Sequence, residues 1–214
     1  PDIATARAAF DGQLGKHLMS CIESQYNFKV LGFFENGFRH ISNRLRPVTK
    51  PDDLVDMKIR MLSSDIHSRT FELLGANPIQ MDLTEAIEMV KAGTLDAQEN
   101  PLANTITYKV HKYHRYHTLS GHFYLSRGLW AHRNSIEEWP EELRSGLEDI
   151  IPESIEFQRG LAIEEEEVAR REIEGEGCEI IELDAEQHAK FVDSVYQLKE
   201  EARNIFGDEM FEML

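Results

Sequence analysis

The sequence predicts an open α/β sheet with a ligand crevice at its strand ends. Two stretches carry this reading first: Met57-Lys58-Ile59-Arg60, and Leu95-Asp96-Ala97-Gln98-Glu99-Asn100-Pro101. Each has the pattern of a buried strand running into a polar loop. Between them, Leu83 to Ala92 has the spacing of an amphipathic helix stopped by Gly93. Strand, helix, strand, with polar residues where the strands end, is how open α/β sheets build crevices.

The other elements follow in order. Ile3, Ala6, Phe10, Leu14, Leu18 and Ile22 keep helical spacing from Pro1 to Ser24, interrupted at Gly12 and Gly15. Phe28 to Phe34 is a β-rich run, expected to end at Glu35-Asn36-Gly37, and Phe38 to Asn43 carries Arg39 and His40. A connector from Arg46 to Leu54 leads into one helical turn, with Asp52 and Asp53 suited to its N-terminal charge. Lys58–Met61 is a short strand. Ser64 or Asp65 caps a helix that stops at Gly75. Pro78–Met81 is another strand, and the next helix is expected to start at Thr84.

Leu102 to Tyr108 reads as a helix, Leu119 to Leu125 as a strand, and Leu129 to His132 as a further strand. Pro140, followed by Glu141 and Glu142, opens a long helix, which Pro152 is expected to kink or break near Ile151. The run Glu164 to Glu167 with Arg170 and Arg171 is a solvated helix face. Cys178–Ile181 is a strand, and Asp184 caps a terminal helix. There is no internal repeat and no low-complexity linker.

At 214 residues the chain is long enough to bury a substantial core. A formal charge of −16 argues against nucleic acid and against anionic membrane surfaces. A local anion site is compatible with it, because exposed charges are screened beyond about 8 Å in physiological salt. Cys21 and Cys178 cannot staple a chain of this size and are expected to be free thiols. No run approaches the length of a transmembrane helix and no signal peptide is seen. The opening at Pro1-Asp2, inside what reads as a helix, gives the expectation that a native N-terminus lies upstream.

Arg60 offers a planar fork of donors suited to gripping a carboxylate, and Asn100 a neutral donor and acceptor on the neighbouring strand. Holding a small organic anion, not transforming one, is the task these residues suit. Arg39 could pair with Glu35 or Glu99. Gln98 and Glu99 fit the role of groups that orient Arg60. No Gly-x-Ser-x-Gly elbow, P-loop or dinucleotide glycine fingerprint is present, and no enzyme activity is expected. His111, His114, His117 and His122 lack a cysteine or carboxylate to complete a tetrahedron, so no metal and no cofactor is expected.

Asn36-Gly37-Phe38-Arg39, Arg46-Pro47, Pro51-Asp52-Asp53-Leu54, Lys58-Ile59-Arg60, Leu74-Gly75-Ala76-Asn77-Pro78, Gln98-Glu99-Asn100-Pro101, Leu119-Ser120-Gly121-His122 and Trp139-Pro140-Glu141-Glu142-Leu143 occur in an order and spacing that carry a resemblance. The chain resembles the periplasmic solute-binding proteins of tripartite ATP-independent periplasmic (TRAP) transporters, the DctP-like group, over nearly its whole length. The resemblance implies a two-lobed α/β periplasmic-binding-protein-like fold, here an incomplete version with a long bracing helix. It further implies periplasmic location, a small carboxylate as ligand and a membrane permease as partner.

The family's carboxylate-binding arginine falls on Arg60, its binding asparagine on Asn100, and a second arginine on Arg39. Gln98 and Tyr124 complete the candidate ligand set. By the same analogy residues 1–36 are a remnant of the first lobe and 37–125 the second lobe. Residues 126–165 then cross back along the long helix, and 166–214 return. Relatives have further residues ahead of Pro1, so apolar groups at Leu129-Trp130-Ala131 and on the long helix are expected to lack a partner from the same chain. A homo-oligomer, most simply a two-fold dimer, is the resulting expectation. A relative that no longer binds ligand and persists as such an oligomer is the alternative reading.

Overall fold

The structure is a computed structural model describing residues 2–213. Pro1, where the sequence reading starts its first helix, lies outside the described residues. The elements are, in chain order, α1 (Ile3–Asp11), α2 (Gln13–Gln25), β1 (Phe28–Asn43), a 3-10 turn (Pro51–Leu54), β2 (Lys58–Met61), α3 (Asp65–Leu73), β3 (Asn77–Gln80), α4 (Leu83–Lys91) and β4 (Ala97–Asn100). They continue with α5 (Leu102–Thr107), a second 3-10 turn (Val110–Lys112), β5 (Tyr116–His132), α6 (Arg133–Glu137), α7 (Glu141–Gly175), β6 (Glu179–Glu182), α8 (Ala185–Ser194), α9 (Leu198–Phe206) and α10 (Asp208–Glu212). The strand order is β3-β2-β4-β1-β5-β6, a mixed sheet with helices as the sequence predicts.

The chain forms two compact units. One takes in the chain up to Gly37, Tyr124–Glu165 and the segment from Asp208; the other holds Phe38–Phe123 and Glu166–Gly207. In the second unit β2 lies between β3 and β4 and is parallel to both, while the end of β1 runs antiparallel to β4. Its main core comprises Ile41, Val48, Leu54, Met57, Ile59, Met61, Phe71 and Leu74, nearly all fully buried. Burying each large side chain of this kind is worth about 1.5–3 kcal/mol. Smaller clusters sit around Ala86, Val90, Leu95 and Val110, and around Leu102, Ala169 and Ile173. At the end of α3, Gly75 takes φ +84°, and Ala76 N–H returns to Phe71 O at 2.9 Å. A left-handed residue closing the helix this way is what the Gly75 stop signal anticipates.

Local signals mislead in five places. Gly37 does not end the first strand; it takes φ +95° inside one 16-residue strand, and pairing with β4 holds the chain extended beyond it. The runs at Leu119 and Leu129 are one 17-residue strand next to β1 in the sheet, and its glycines do not interrupt it. Pro152 does not break α7, which is continuous for 35 residues. Proline removes one helical hydrogen bond, and here Ile151 and Ile155 pack closely over Gly32 of β1 and hold the helix in place. The α4 cap is Asp82, whose carboxylate accepts from Thr84 N–H at 2.8 Å, rather than Thr84 itself. After Asp184, which makes a reciprocal cap with Gln187, the terminal helix is divided into α8, α9 and α10.

Candidate functional site

Strand register decides which candidate residues meet. Arg60 of β2 is opposite Gln98 of β4, and Gln98 and Asn100 are opposite Ser42 and His40 of β1. Cross-strand partners share a face, so Arg60, Gln98, Asn100 and Ser42 lie on one side of the sheet, with Ile41 and Glu99 on the other.

Arg60 is only 8% exposed. Its Nε and Nη2 donate to a single acceptor, the backbone carbonyl of Met81, at 3.2 and 3.1 Å. No Asp or Glu oxygen lies within 4.0 Å of its guanidinium among the described residues. Burial pulls its pKa below the usual arginine value, with the more distant Glu99 acting in the opposite sense. A buried guanidinium stays charged, so it retains an unbalanced positive charge and donors beyond those the carbonyl takes.

Arg39 is in a different state. Its Nε donates to Glu99 Oε2, and its Nη2 donates to Glu99 Oε1 at 2.7 Å and to Glu99 O at 2.6 Å. Of the two partners open at the sequence level, Glu99 is the one it takes. Glu99 is fully buried and also accepts from His122 Nε2 at 3.3 Å. Burial raises its pKa, but the bonds from His122 and Arg39 outweigh this and hold it below the usual carboxylate range. On the other side of the ring, His122 Nδ1 lies 2.7 Å from the Ser120 hydroxyl.

The expectation that Gln98 and Glu99 orient Arg60 does not match these bonds. Glu99 serves Arg39, and Gln98 Nε2 donates to Ser42 Oγ at 2.8 Å and Thr105 Oγ1 at 3.3 Å. Asn100 Nδ2 donates to Gln98 Oε1 at 2.6 Å, and Asn100 Oδ1 accepts from Asn104 Nδ2 at 3.3 Å. The backbone just beyond is fixed by Glu166 of α7, whose carboxylate accepts from Leu102 N–H and Ala103 N–H, both at 3.1 Å.

Tyr124 belongs to the other unit. Its hydroxyl donates to Glu35 Oε2 at 3.3 Å, and burial with the Glu35 charge pushes its pKa up to about 12. Glu35 is also clamped by Arg7 at 2.6 and 3.0 Å.

His111, His114 and His117 are buried in the second unit. Among the described residues no three His, Cys, Asp or Glu side chains are grouped to hold a metal ion. Cys21 and Cys178 are free. No helix among the described residues is long and apolar enough to cross a membrane. The sequence reading missed the carbonyl of Met81, Ser42, Asn104 and Glu166, none of which has a local signal. His122 stood out only as one histidine of several.

The profile of the family described as "Bacterial extracellular solute-binding protein, family 7" (DctP) matches residues 1–204. The chain belongs to the DctP family. It is 32% identical over 199 residues to the C4-dicarboxylate-binding periplasmic protein DctP of Rhodobacter capsulatus, a match covering 92% of this chain and 59% of that protein. Among solved structures it is similar to a TRAP periplasmic solute binding protein from Ochrobactrum anthropi. That match has 29% identity and a TM-score of 0.89, over 100% of this chain and 68% of that one. The sugar acid binding protein of Advenella mimigardefordensis, solved with galactonate, matches at 28% identity and a TM-score of 0.91, over 97% and 66% of the two chains. This DctP-family chain therefore spans about six-tenths of the length of the first two relatives it matches. The family and these relatives are solute-binding proteins of transport systems rather than enzymes.

Proposed function

We propose that this DctP-family chain is the extracytoplasmic binding component of a TRAP transporter, holding a small organic acid for delivery to a membrane permease. The observation that carries the reading is Arg60: buried, charged, and bonded among the described residues only to the Met81 carbonyl. A ligand carboxylate would balance that charge and occupy the remaining donors. Asn100 would contribute the N–H and the lone pair that Gln98 and Asn104 leave unused. Arg39, already held by Glu99, would act by shaping the site or by a shared contact. Gln98 would support Asn100, and Tyr124 stays a candidate ligand contact of its own unit. Proteins similar to this one bind C4-dicarboxylates and sugar acids by their descriptions, which supports carboxylate as the ligand class. Isothermal calorimetry with succinate, galactonate and a 2-oxo acid is the test. Saturable binding to wild type, lost in Arg60→Ala, is expected; equal heats from both proteins would sink the proposal.

A second reading has its own observation. Trp130, Trp139, Leu143, Ile150 and Phe157 are exposed, Phe157 at 70%. An oligomer covering these groups, independent of ligand, is what a structural or interaction module would form. Light scattering across a wide dilution range tests it: a species near 24.7 kDa at every concentration rules it out.

A further inference from the structure

Four successive glutamates, Glu164 to Glu167, read from the sequence as one solvated stretch of α7, and the structure separates one of them from the rest. Glu164, Glu165 and Glu167 are exposed, whereas Glu166 is partly buried. Glu166, Ala169 and Ile173 are spaced i, i+3 and i+7, so they lie along one face of the helix. Ala169 and Ile173 are fully buried in a cluster with Leu102, at the start of α5. One turn earlier, the two carboxylate oxygens of Glu166 accept from Leu102 N–H and Ala103 N–H, each at 3.1 Å.

Those N–H groups need an acceptor from elsewhere. The first N–H groups of a helix have no partner within it, and the residue before α5 is Pro101, whose side chain makes no cap. A helix of six residues has little stability of its own. Glu166 does from 64 positions away what a Ser or Asp side chain just before α5 would do locally. The turn it pins is joined directly to Asn100: Asn104 Nδ2, in the first turn of α5, lies 3.3 Å from Asn100 Oδ1, and Thr105 Oγ1 lies 3.3 Å from Gln98 Nε2. His40 of β1 is opposite Asn100 in the sheet, and its Nε2 is 3.7 Å from Glu166 Oε1.

We infer that Glu166 is a positioning residue for Asn100: by holding the first turn of α5 on α7, it sets where the Asn100 carboxamide stands. The ligand consequence rests on the proposed binding role of Asn100; the placement itself does not. Glu166, α5 and Asn100 all belong to the same unit. Charge alone predicts the opposite effect on binding. Removing a glutamate near an anion site lessens repulsion and should strengthen carboxylate binding slightly, whereas losing the placement of Asn100 weakens it.

The test is calorimetry on the full chain with succinate and galactonate as probes. Wild type is compared with Glu166→Gln and with the neighbours Glu165→Gln and Glu167→Gln, which change the net charge equally. A carboxamide has one acceptor oxygen, so one of the N–H groups would face an NH2 group instead. Glu166→Gln should bind about tenfold more weakly than wild type, and the neighbours as tightly or more tightly. Unchanged affinity in Glu166→Gln, or an equal loss in the neighbours, overturns the inference. Glu166→Asp keeps the charge but is one methylene too short to span both N–H groups; it is read the same way should Glu166→Gln not fold.

Pro101→Ser separates placement from helix stability, because it supplies a local cap. Added to Glu166→Gln, it should restore the melting temperature and not the affinity; recovery of both overturns the positioning role. Nitrogen NMR gives a readout without ligand. In Glu166→Gln the Asn100 carboxamide signals should move together with the Leu102 and Ala103 amides, and unmoved Asn100 signals overturn the inference. If wild type binds neither probe, the ligand reading fails, and these signals still decide the placement.

Discussion

Arg60 ends on the carbonyl of Met81, with Nε and Nη2 3.2 and 3.1 Å from the same oxygen. Two nitrogens of the fork converge on a neutral acceptor, in contrast to Arg39, whose fork closes on the carboxylate of Glu99. The two arginines therefore answer differently to substitution. Arg60→Ala should reduce carboxylate affinity by about 2–5 kcal/mol, the range for losing one partner of a desolvated charged pair. Arg60→Lys should recover little, because an ammonium lacks the planar fork. Without ligand, Arg60→Met should melt at or above the wild-type temperature, since it removes a buried charge with no counter-charge. Calorimetry and thermal melts measure the two halves, and a destabilised Arg60→Met would mean the charge is balanced in a way not described above.

Glu99→Gln tests the opposite case. It leaves the Arg39 guanidinium buried without its anion, and breaking a buried pair from one side typically costs about 3–5 kcal/mol. The Glu99 pKa is lower in the folded chain than its ordinary value. Its contribution is thus present above the unfolded carboxylate pKa and lost as pH falls through the folded one. Denaturant titration should show the loss at pH 7 and a smaller difference between variant and wild type in strong acid. A variant as stable as wild type at pH 7 would contradict the pairing.

Acid should weaken the fold before the carboxylates titrate. Burial pushes His40 and His114 down to about 3, and His67 and His117 down to about 4, from an ordinary 6.5. Between these values the unfolded chain binds protons that the folded chain does not. The stabilisation is complete above about 6.5 and falls away as pH drops toward 3, by up to about 1.4 kcal/mol per pH unit for each group. Denaturation midpoints at pH 7.5 and 5.5 are the comparison, and an equal pair would refute it.

His67→Phe should raise the melting temperature. The ring is 7% exposed, edge-on to Phe123 at 4.0 Å between centroids, and neither of its nitrogens has a partner among the described residues. A buried polar group left unsatisfied costs about 1–3 kcal/mol, and each kcal/mol corresponds to about 2–4 °C in a chain of this size. A fall instead would place an unseen partner at one of the nitrogens.

The sequence carried much of the second unit, because its signals there are local and agree with the packing. Asp184 with Gln187, the Gly75 stop and the short strands around Arg60 and Asn100 are each decided within a few residues. What it could not carry depends on register. Ser42 meets Gln98 only because β1 runs antiparallel to β4 with Ser42 opposite Gln98, and no spacing rule connects residues 56 positions apart. The role of Met81 is invisible for another reason: a backbone carbonyl has no residue type. Strand ends were misread at Gly37 and between Leu125 and Leu129 because glycine signals a break, and neither strand is interrupted by its glycines.

The chain passes between its two units between Gly37 and Phe38, between Phe123 and Tyr124, and between Glu165 and Glu166, before the last passage at Gly207 and Asp208. The first three passages lie inside β1, β5 and α7, with no linker at any of them. Limited proteolysis, which favours exposed loops, is therefore a poor tool for separating the units. A gene fragment encoding either one must be stitched from discontiguous pieces, all but the segment from Asp208 cut through the middle of a strand or helix. Homologous exchange of whole units between relatives faces the same obstacle: a simple crossover point in the gene does not exist.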